Sequence, residues 1–113
     1  MSDLIRRMRE ARETNVEIAG FTFKLRWPTK VERYSWRSEG IRDTAILGRC
    51  VVGWNGVKES DLIPSGGDTV VPFDVEVMEE WVGDRDDLLM PLLDCVKNLV
   101  TKTEAAKDDA LKN

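Results

Sequence analysis

The first apolar residues of the chain recur at intervals of three and four. Leu4, Ile5 and Met8 therefore fall on one side of a predicted helix that begins at Ser2 and ends near Glu13. Arginines occupy most of the remaining surface of this helix. The apolar stripe is narrow and has no aromatic residue, which favours docking on a protein, or fraying of the helix, over binding to a lipid surface.

The period changes to two in residues 15–27, where Phe21, Phe23 and Leu25 alternate with polar residues. This pattern predicts a β-hairpin with a tight turn near Gly20 and one buried face. A lone hairpin is only marginally stable in water, so its apolar face must pack on helices of the same domain. We expect its outer edge to stay unpaired unless a second subunit adds strands to it.

A helix is predicted directly after the hairpin. Pro28 ends the strand, and Thr29 has the spacing from Glu32 that a capping box requires. The helix therefore begins near residue 30. Val31 and Tyr34 are expected to lie on its inner face.

The apolar segment of residues 41–52 predicts a further helix, although Val51 and Val52 also fit a short strand. Trp54 follows between two glycines, and two interpretations of it are open: it caps the core, or it anchors a partner. Residues 55–71 are predicted to form a surface loop. Because the loop is long for a compact domain, we expect it to be mobile and to become ordered on assembly.

Two more helical patterns complete the chain. Asp74 is the predicted N-cap of a short acidic helix that ends at Gly83. The last helix begins at Asp84 and has the strongest apolar stripe, while Pro91 predicts a kink or a break inside it. Residues 101–113 lack a core face and are predicted either to continue the helix in solvent or to form a polar C-terminal tail or a frayed helix end. The inward residues of the short helix are expected to be Val75, Met78 and Trp81 or Val82.

Together these elements predict a single α+β domain over residues 1–100, mostly helical, with an N-terminal β-hairpin packed on four to five helices. The 113 residues suffice for one modest core. We expect that core to contain Phe23, Leu25, Tyr34, Leu47, Val51, Leu92, Val96 and Leu99.

The composition argues against catalysis. The chain has no histidine, the commonest general base and the usual zinc ligand. Cys50 and Cys95 lie in separate apolar segments and are expected to be buried thiols rather than a disulfide or a metal site. The Gly66-Gly67 pair is not followed by the Gly-Lys-[Ser/Thr] of a phosphate loop. We therefore expect no enzyme activity, no cofactor and no bound metal.

Charge is distributed unevenly. Residues 1–42 contain ten Lys/Arg and six Asp/Glu, a net charge of +4, whereas residues 43–113 contain seven and fifteen, a net charge of −8. Solvated faces with a chance asymmetry explain this as well as head-to-tail self-association does. Nucleic-acid binding fits poorly with a pI of about 4.9. No apolar run approaches the ~20 residues that span a bilayer, so we expect no membrane attachment.

Two parts of the sequence resemble the tail assembly chaperones of long, non-contractile-tailed (lambda-like) bacteriophages. In that family a helix ends in a Trp-x-Gly-Val turn, a loop follows, and Pro-Phe-[Ser/Asp] begins the next helix. The corresponding segments here are Trp54-Asn-Gly-Val and Pro72-Phe-Asp. Upstream, residues 21–34 (Phe-Thr-Phe-Lys-Leu-Arg-Trp-Pro-Thr-Lys-Val-Glu-Arg-Tyr) resemble the family's strand followed by a Pro-Thr-capped helix.

The resemblance implies a non-enzymatic chaperone that binds the tape-measure protein and keeps it soluble during tail-tube assembly. It also implies a longer, frameshifted form that recruits the tail-tube protein, action in the cytoplasm of the bacterial host, and absence from the mature virion. The alternative is a structural head–tail connector or minor tail protein of a phage or prophage. The candidate partner-binding residues are Leu4, Ile5, Met8 and Trp54.

Overall fold

The computed structural model of the chain describes the backbone of residues 2–112, and the side chains of these residues except 43–44 and 100–112. Within this range the chain forms six helices and three strands. In chain order they are α1 (Ser2–Glu10), β1 (Glu13–Ile18), β2 (Phe21–Arg26), α2 (Lys30–Glu39), α3 (Asp43–Cys50), β3 (Val51–Asn55), α4 (Glu59–Leu62), α5 (Val75–Gly83) and α6 (Asp86–Lys112). The predicted α+β class is confirmed, with one helix more than expected because the short α4 was not foreseen.

The three strands form one antiparallel sheet with β2 in the centre. The predicted hairpin joins β1 to β2 through Ala19 and Gly20, which both have left-handed φ angles, 54° and 85°. Positive φ at both positions is typical of the two-residue turn whose twist matches that of the strands. Val16 pairs with Phe23 across the hairpin, and both lie on its apolar face.

The third strand, β3, resolves the ambiguity of the segment after α3. Phe23 pairs with Trp54, whereas Leu25 pairs with Val51, so one residue of β3 is extra and forms an irregularity in the ladder. Because a strand alternates its faces, Val51 and Trp54 would otherwise point to opposite sides of the sheet. The extra residue lets both contribute to the same apolar face.

Helices cover that face of the sheet. α3, α5 and α6 pack on one another, and α6 also contacts β1. The buried apolar residues are Ile18, Phe23, Leu25, Trp36, Leu47, Cys50, Val51, Val57, Met78, Trp81, Val82, Leu88, Leu92, Leu93 and Val96. Six of the eight predicted core residues are among them, and Leu99 packs against the cluster while half-buried. Tyr34 is the exception.

α2 buries a different face from the one predicted. The capping box is present, but Val31 is 77% and Tyr34 63% exposed, whereas Trp36 is only 7% exposed. The reason is an ion pair: both guanidinium nitrogens of Arg26 donate to the carboxylate of Glu32, at 2.9 Å each. This pair directs Glu32 toward the end of β2, and Trp36, one turn later, lies on the same side of the helix. Val31 and Tyr34 are thereby placed in solvent.

α5 and its N-cap follow the prediction closely. The Asp74 carboxylate accepts a hydrogen bond from the backbone N–H of Val77. Met78 and Val82 are buried. Val75, which was expected to point inward, is exposed because only the second and third turns of α5 are covered.

α6 runs through Pro91 as one helix, so of the predicted kink or break the break is absent. It begins at Asp86, slightly later than expected. Pro91 therefore falls in the second turn of the helix, where its missing N–H removes only the bond to the carbonyl of Asp87. The backbone stays helical through residues 101–112, which matches the alternative in which the last helix continues beyond its core face.

The segment after β3 also differs from the prediction of a mobile loop. It contains α4, and the backbone N–H of Val71 donates to the carbonyl of Val57, whose side chain is fully buried. A Cβ at Gly66 would lie only 2.5 Å from the backbone of Glu59, so a glycine is required there. The loop thus closes on itself through backbone hydrogen bonds, and its composition alone did not indicate this.

Candidate interaction surfaces

The described side chains contain no cluster of three Cys, Asp or Glu residues able to hold a metal ion. No helix in the described part of the chain is long and apolar enough to cross a membrane. Cys50 is buried, and burial raises the pKa of its thiol to about 11, so the reactive thiolate is disfavoured. Exposed surfaces are further candidates for a functional site. The exposed large apolar residues of the described chain are Leu4, Ile5, Met8, Val31, Tyr34, Ile63, Val70, Val75 and Met90.

The predicted stripe on α1 is exposed along its whole length. Leu4, Ile5 and Met8 are 54%, 47% and 55% exposed, and no residue of α1 is buried. The C-terminal end of α1 is nevertheless held at the sheet. The carbonyl of Arg12, just after the helix, accepts a hydrogen bond from the N–H of Trp27 and extends the pairing of β1 with β2. α1 therefore presents three apolar side chains, bordered by arginines, beside the outer strand of the sheet.

Trp54 is engaged within the domain. Its indole N–H donates to the carbonyl of Val71 at 2.8 Å, and its ring packs edge-on against Phe73 and Trp81 with centroids 5.1 and 5.7 Å apart. A paired polar atom and two aromatic contacts are expected of a residue that caps a core. The structure thus favours the first of the two interpretations of Trp54.

The four predicted partner-binding residues do not form one surface. Leu4, Ile5 and Met8 lie on α1, which leads into the outer strand β1, whereas Trp54 lies on β3 at the other edge of the sheet. A partner that binds the α1 stripe is therefore not expected to use Trp54 as well.

A second surface, which the sequence analysis missed, surrounds α2. On one side a hollow of about 460 Å³ is lined by Pro28, Arg33, Trp36, Arg37, Ile41, Ile46, Val96 and Lys97. On the other side a smaller hollow of about 180 Å³ is lined by Lys30, Arg33, Tyr34 and Arg37. The two hollows share Arg33 and Arg37, so they form a continuous surface, here called the α2 groove.

The charged side chains described along the α2 groove are all basic. Among the residues whose side chains the structure describes, the lining contains Lys30, Arg33, Arg37 and Lys97 and no carboxylate. Of the two acids of α2, Glu32 is held by Arg26; the hydrogen bond from Arg26, more than that from Thr29, lowers its pKa to about 2. Glu39 accepts a hydrogen bond from the hydroxyl of Ser35 at the end of the helix. The signal for this surface was present in the sequence as the spacing of Lys30, Arg33 and Arg37, but Val31 and Tyr34 were expected on the inner face of the helix.

A third surface, on α5, has the opposite charge. Glu79, Glu80 and Asp84 line a hollow of about 510 Å³ together with Ala45 and Gly83. The basic surfaces on α1 and α2 and this acidic surface follow the uneven distribution of charge along the sequence. They make electrostatic association with a partner or a second copy physically reasonable.

Comparisons with known proteins add no identification. No model of a protein family matches the chain. No curated protein and no solved structure matches it either.

Proposed function

We propose that this chain is a non-enzymatic tail assembly chaperone of a phage or prophage with a long, non-contractile tail. It would bind the tape-measure protein and keep it soluble while the tail tube assembles. The observation that carries the proposal is the α1 stripe: Leu4, Ile5 and Met8 are exposed on a domain whose core contains no residue of α1. An exposed apolar stripe that is not needed for folding is available to a partner.

The local structure at two of the resembling segments supports the proposal. Pro28 and Thr29 precede a capped helix, α2, and Asp74 caps α5 after Pro72 and Phe73. Both are the helix starts that the resemblance implies. The Trp54 segment departs from the family pattern, because α3 ends at Cys50 and Trp54 lies in a strand.

The chemistry of α1 suits a long amphipathic helix as its partner. A tape-measure protein exposes apolar side chains before the tube surrounds it, and the α1 stripe, about 6 Å long from Leu4 to Met8, can cover about one turn of such a helix. Each buried apolar side chain contributes about 1.5–3 kcal/mol before the entropy lost on association is subtracted, so one contact is weak. Many copies along one extended partner would act through avidity. In this proposal a longer, frameshifted form adds the contact to the tail-tube protein.

Co-expression with the tape-measure protein of the same genome tests the proposal. The wild-type chain should increase the fraction of tape-measure protein that stays soluble. A variant with Leu4→Ser, Ile5→Ser and Met8→Ser should lose this effect while its circular-dichroism spectrum stays unchanged. Lys24→Glu, on the polar face of the sheet, is the matched surface control and should behave like the wild type. A wild-type chain without effect on the tape-measure protein contradicts the proposal.

The composition of purified virions separates the proposal from its alternative. A chaperone acts in the host cytoplasm and is expected to be absent from the finished particle. Mass spectrometry that detects the chain in stoichiometric amounts in virions would instead favour a head–tail connector or a minor tail protein.

A further inference from the structure

We propose that β1, the outer strand of the sheet, pairs antiparallel with β1 of a second copy of this chain. The two copies would be related by a two-fold axis, and their sheets would join into one. This inference concerns the edge of the sheet rather than the α1 stripe or the α2 groove, and it does not rest on the proposed function.

The outer edge of β1 carries backbone groups that β2 does not reach. The N–H of Trp27 donates to the carbonyl of Arg12, so these two residues form a hydrogen-bonded pair next to the end of the ladder. Such pairs alternate along an antiparallel ladder, and the backbone groups of residues 14, 16 and 18 therefore bond to β2. Those of residues 13, 15 and 17 point outward. Among the described residues, no backbone hydrogen bond from another segment reaches them.

The two edges of the sheet differ in how open they are. β1 pairs with β2 in an unbroken register over its six residues and contains neither proline nor lysine. At the other edge, β3 has an irregular register and is followed by Gly56, whose φ is 80°. The indole of Trp54 also ties β3 to the carbonyl of Val71. Irregularities of this kind protect an edge from further pairing, so β1 is the edge that can accept a strand.

The side chains of β1 complement those of a second β1 in one register. With Val16 on the two-fold axis, Thr14 lies opposite Ile18 of the second copy, and Val16 and Ile18 already belong to the apolar face. On the polar face, Asn15 lies opposite Glu17 of the second copy, which places an amide donor beside a carboxylate. Each hydrogen-bonded pair exchanges two bonds, so the contact would contain about four backbone hydrogen bonds.

Glu13 and Glu17 disfavour the competing register. An axis at Asn15 would place Glu13 directly opposite Glu17 of the second copy on both sides of the axis, and like charges in that position are destabilising. An extended segment of another protein could also add to an open edge. A second copy is the better occupant because β1 itself supplies apolar residues opposite apolar ones and an amide opposite each carboxylate. The pairing ends at two copies, since it uses the open edge of both.

The mass of the full-length chain in high salt tests the proposal. Salt screens contacts between exposed charges, whereas backbone pairing persists. Sedimentation equilibrium at millimolar concentration in about 0.5 M NaCl should show a monomer–dimer equilibrium without larger species. The dimer should be weak, because a single pair of strands makes a small interface. The triple serine variant of α1 should dimerise as the wild type does.

Substitutions of the polar residues of β1 test which residues face each other. Asn15→Glu places like charges opposite each other twice and should raise the dissociation constant of the dimer about tenfold. Adding Glu17→Lys to Asn15→Glu should restore dimerisation. Asn55→Glu, the same change on the outer strand at the other edge, is the matched control and should leave the dissociation constant unchanged. Asn15 and Asn55 are exposed, so both variants should melt near the wild-type temperature.

Disulfide cross-linking tests the register directly. Val16→Cys would place two thiols at the axis, where the Cα atoms of a non-hydrogen-bonded pair are about 4.5 Å apart, within the range of a disulfide. Asn15→Cys would separate the Cα atoms by about 8–9 Å, which is too far. Both variants are made with Cys95→Ser, because Cys95 is only partly buried. Oxidation should cross-link the first variant into a dimer and leave the second monomeric.

Several results would overturn the proposal. They are a strict monomer in high salt, equal dissociation constants of Asn15→Glu and Asn55→Glu, and failure of Glu17→Lys to restore the dimer. Cross-linking through Asn15→Cys but not through Val16→Cys would also contradict it, as would loss of the dimer in the α1 variant. None of these experiments contains a tape-measure protein, so this proposal and the proposed function can fail separately.

Discussion

Two amphipathic helices, α1 and α6, have similar patterns of apolar residues, but the apolar face of α6 is buried and that of α1 is exposed. Both carry apolar residues at intervals of three and four among charged ones. Leu88 and Leu92 of α6 are completely buried, whereas Leu4 and Met8 of α1 are about half exposed. The difference lies in the neighbours: α6 packs on α3, α5 and the sheet, while α1 is joined to the outer strand β1 and buries no residue. Periodicity tells which residues share a face, but the topology decides whether another element covers that face.

The largest expected change in stability follows from a substitution in α6, the buried helix of the two. Leu92→Ala should lower the free energy of unfolding by about 2–4 kcal/mol, because it removes buried apolar atoms and leaves a cavity. The same substitution at Leu4 should change it by less than about 0.5 kcal/mol, since Leu4 is exposed. Urea unfolding of both variants measures the difference. Equal losses would mean that α1 belongs to the core.

The next effect concerns the ion pair that orients α2. Glu32→Gln should lower the free energy of unfolding at neutral pH by about 1–2 kcal/mol, because the two hydrogen bonds from Arg26 lose their charge. The Glu32 side chain is about a third exposed, so solvent screening keeps the effect below the full pKa shift.

The stabilisation by the Arg26–Glu32 pair should depend on pH. The pKa of Glu32 is about 2 in the folded chain, below its value of about 4.3 when unfolded. The pair's stabilisation is therefore complete above about pH 4.3 and is lost as the pH falls toward 2. The difference in free energy of unfolding between the wild type and Glu32→Gln should therefore shrink as the pH falls through this range. Glu39→Gln, at the exposed end of the same helix, is the control and should change the free energy of unfolding at neutral pH much less than Glu32→Gln does.

A smaller, stabilising effect is expected at the turn of the β1–β2 hairpin. Ala19 has a φ of 54°, a conformation that costs an alanine about 1 kcal/mol. Ala19→Asn should raise the free energy of unfolding by about 0.5–1 kcal/mol, since asparagine tolerates this turn position. Gly20→Ala, with φ 85° at that position, should lower it. Thermal unfolding in which Ala19→Asn destabilises the chain, or Gly20→Ala stabilises it, would contradict the turn geometry.

The weakest expected effect is self-association. Arginines border the α1 stripe, and Glu79, Glu80 and Asp84 line the hollow on α5, so copies of the chain can attract one another. We expect a concentration-dependent increase in mass by light scattering that decreases with salt, because exposed charges are screened over about 10 Å at 0.1 M. A strict monomer at millimolar concentration and low salt would contradict it.

Locally determined features were predictable from the sequence. The hairpin turn at Gly20, the N-cap Asp74 and the apolar stripe of α6 each depend on residues close together in the chain, and the structure contains all of them. The segment from Val51 was ambiguous because its pairing with β2 requires an irregular register. Short-range patterns carry no information about such a register.

Features that depend on distant contacts were missed or inverted. The orientation of α2 depends on Arg26, which lies on the preceding strand, and without that contact Tyr34 was placed in the core. The α2 groove was missed for the same reason. By contrast, the exposure of the α1 stripe was anticipated, because three apolar residues among many charges make a poor core face.

The α1 stripe is proposed to be a partner surface on a domain that folds without it. Amide hydrogen exchange of the full chain, alone and with a fragment of the tape-measure protein, measures this segment by segment. Alone, α1 should exchange rapidly while the buried part of α6 is strongly protected. With the fragment, protection should rise in α1 and stay unchanged in the sheet. Protection of α1 equal to that of α6 in the free chain, or no change in α1 on binding, would contradict the claim.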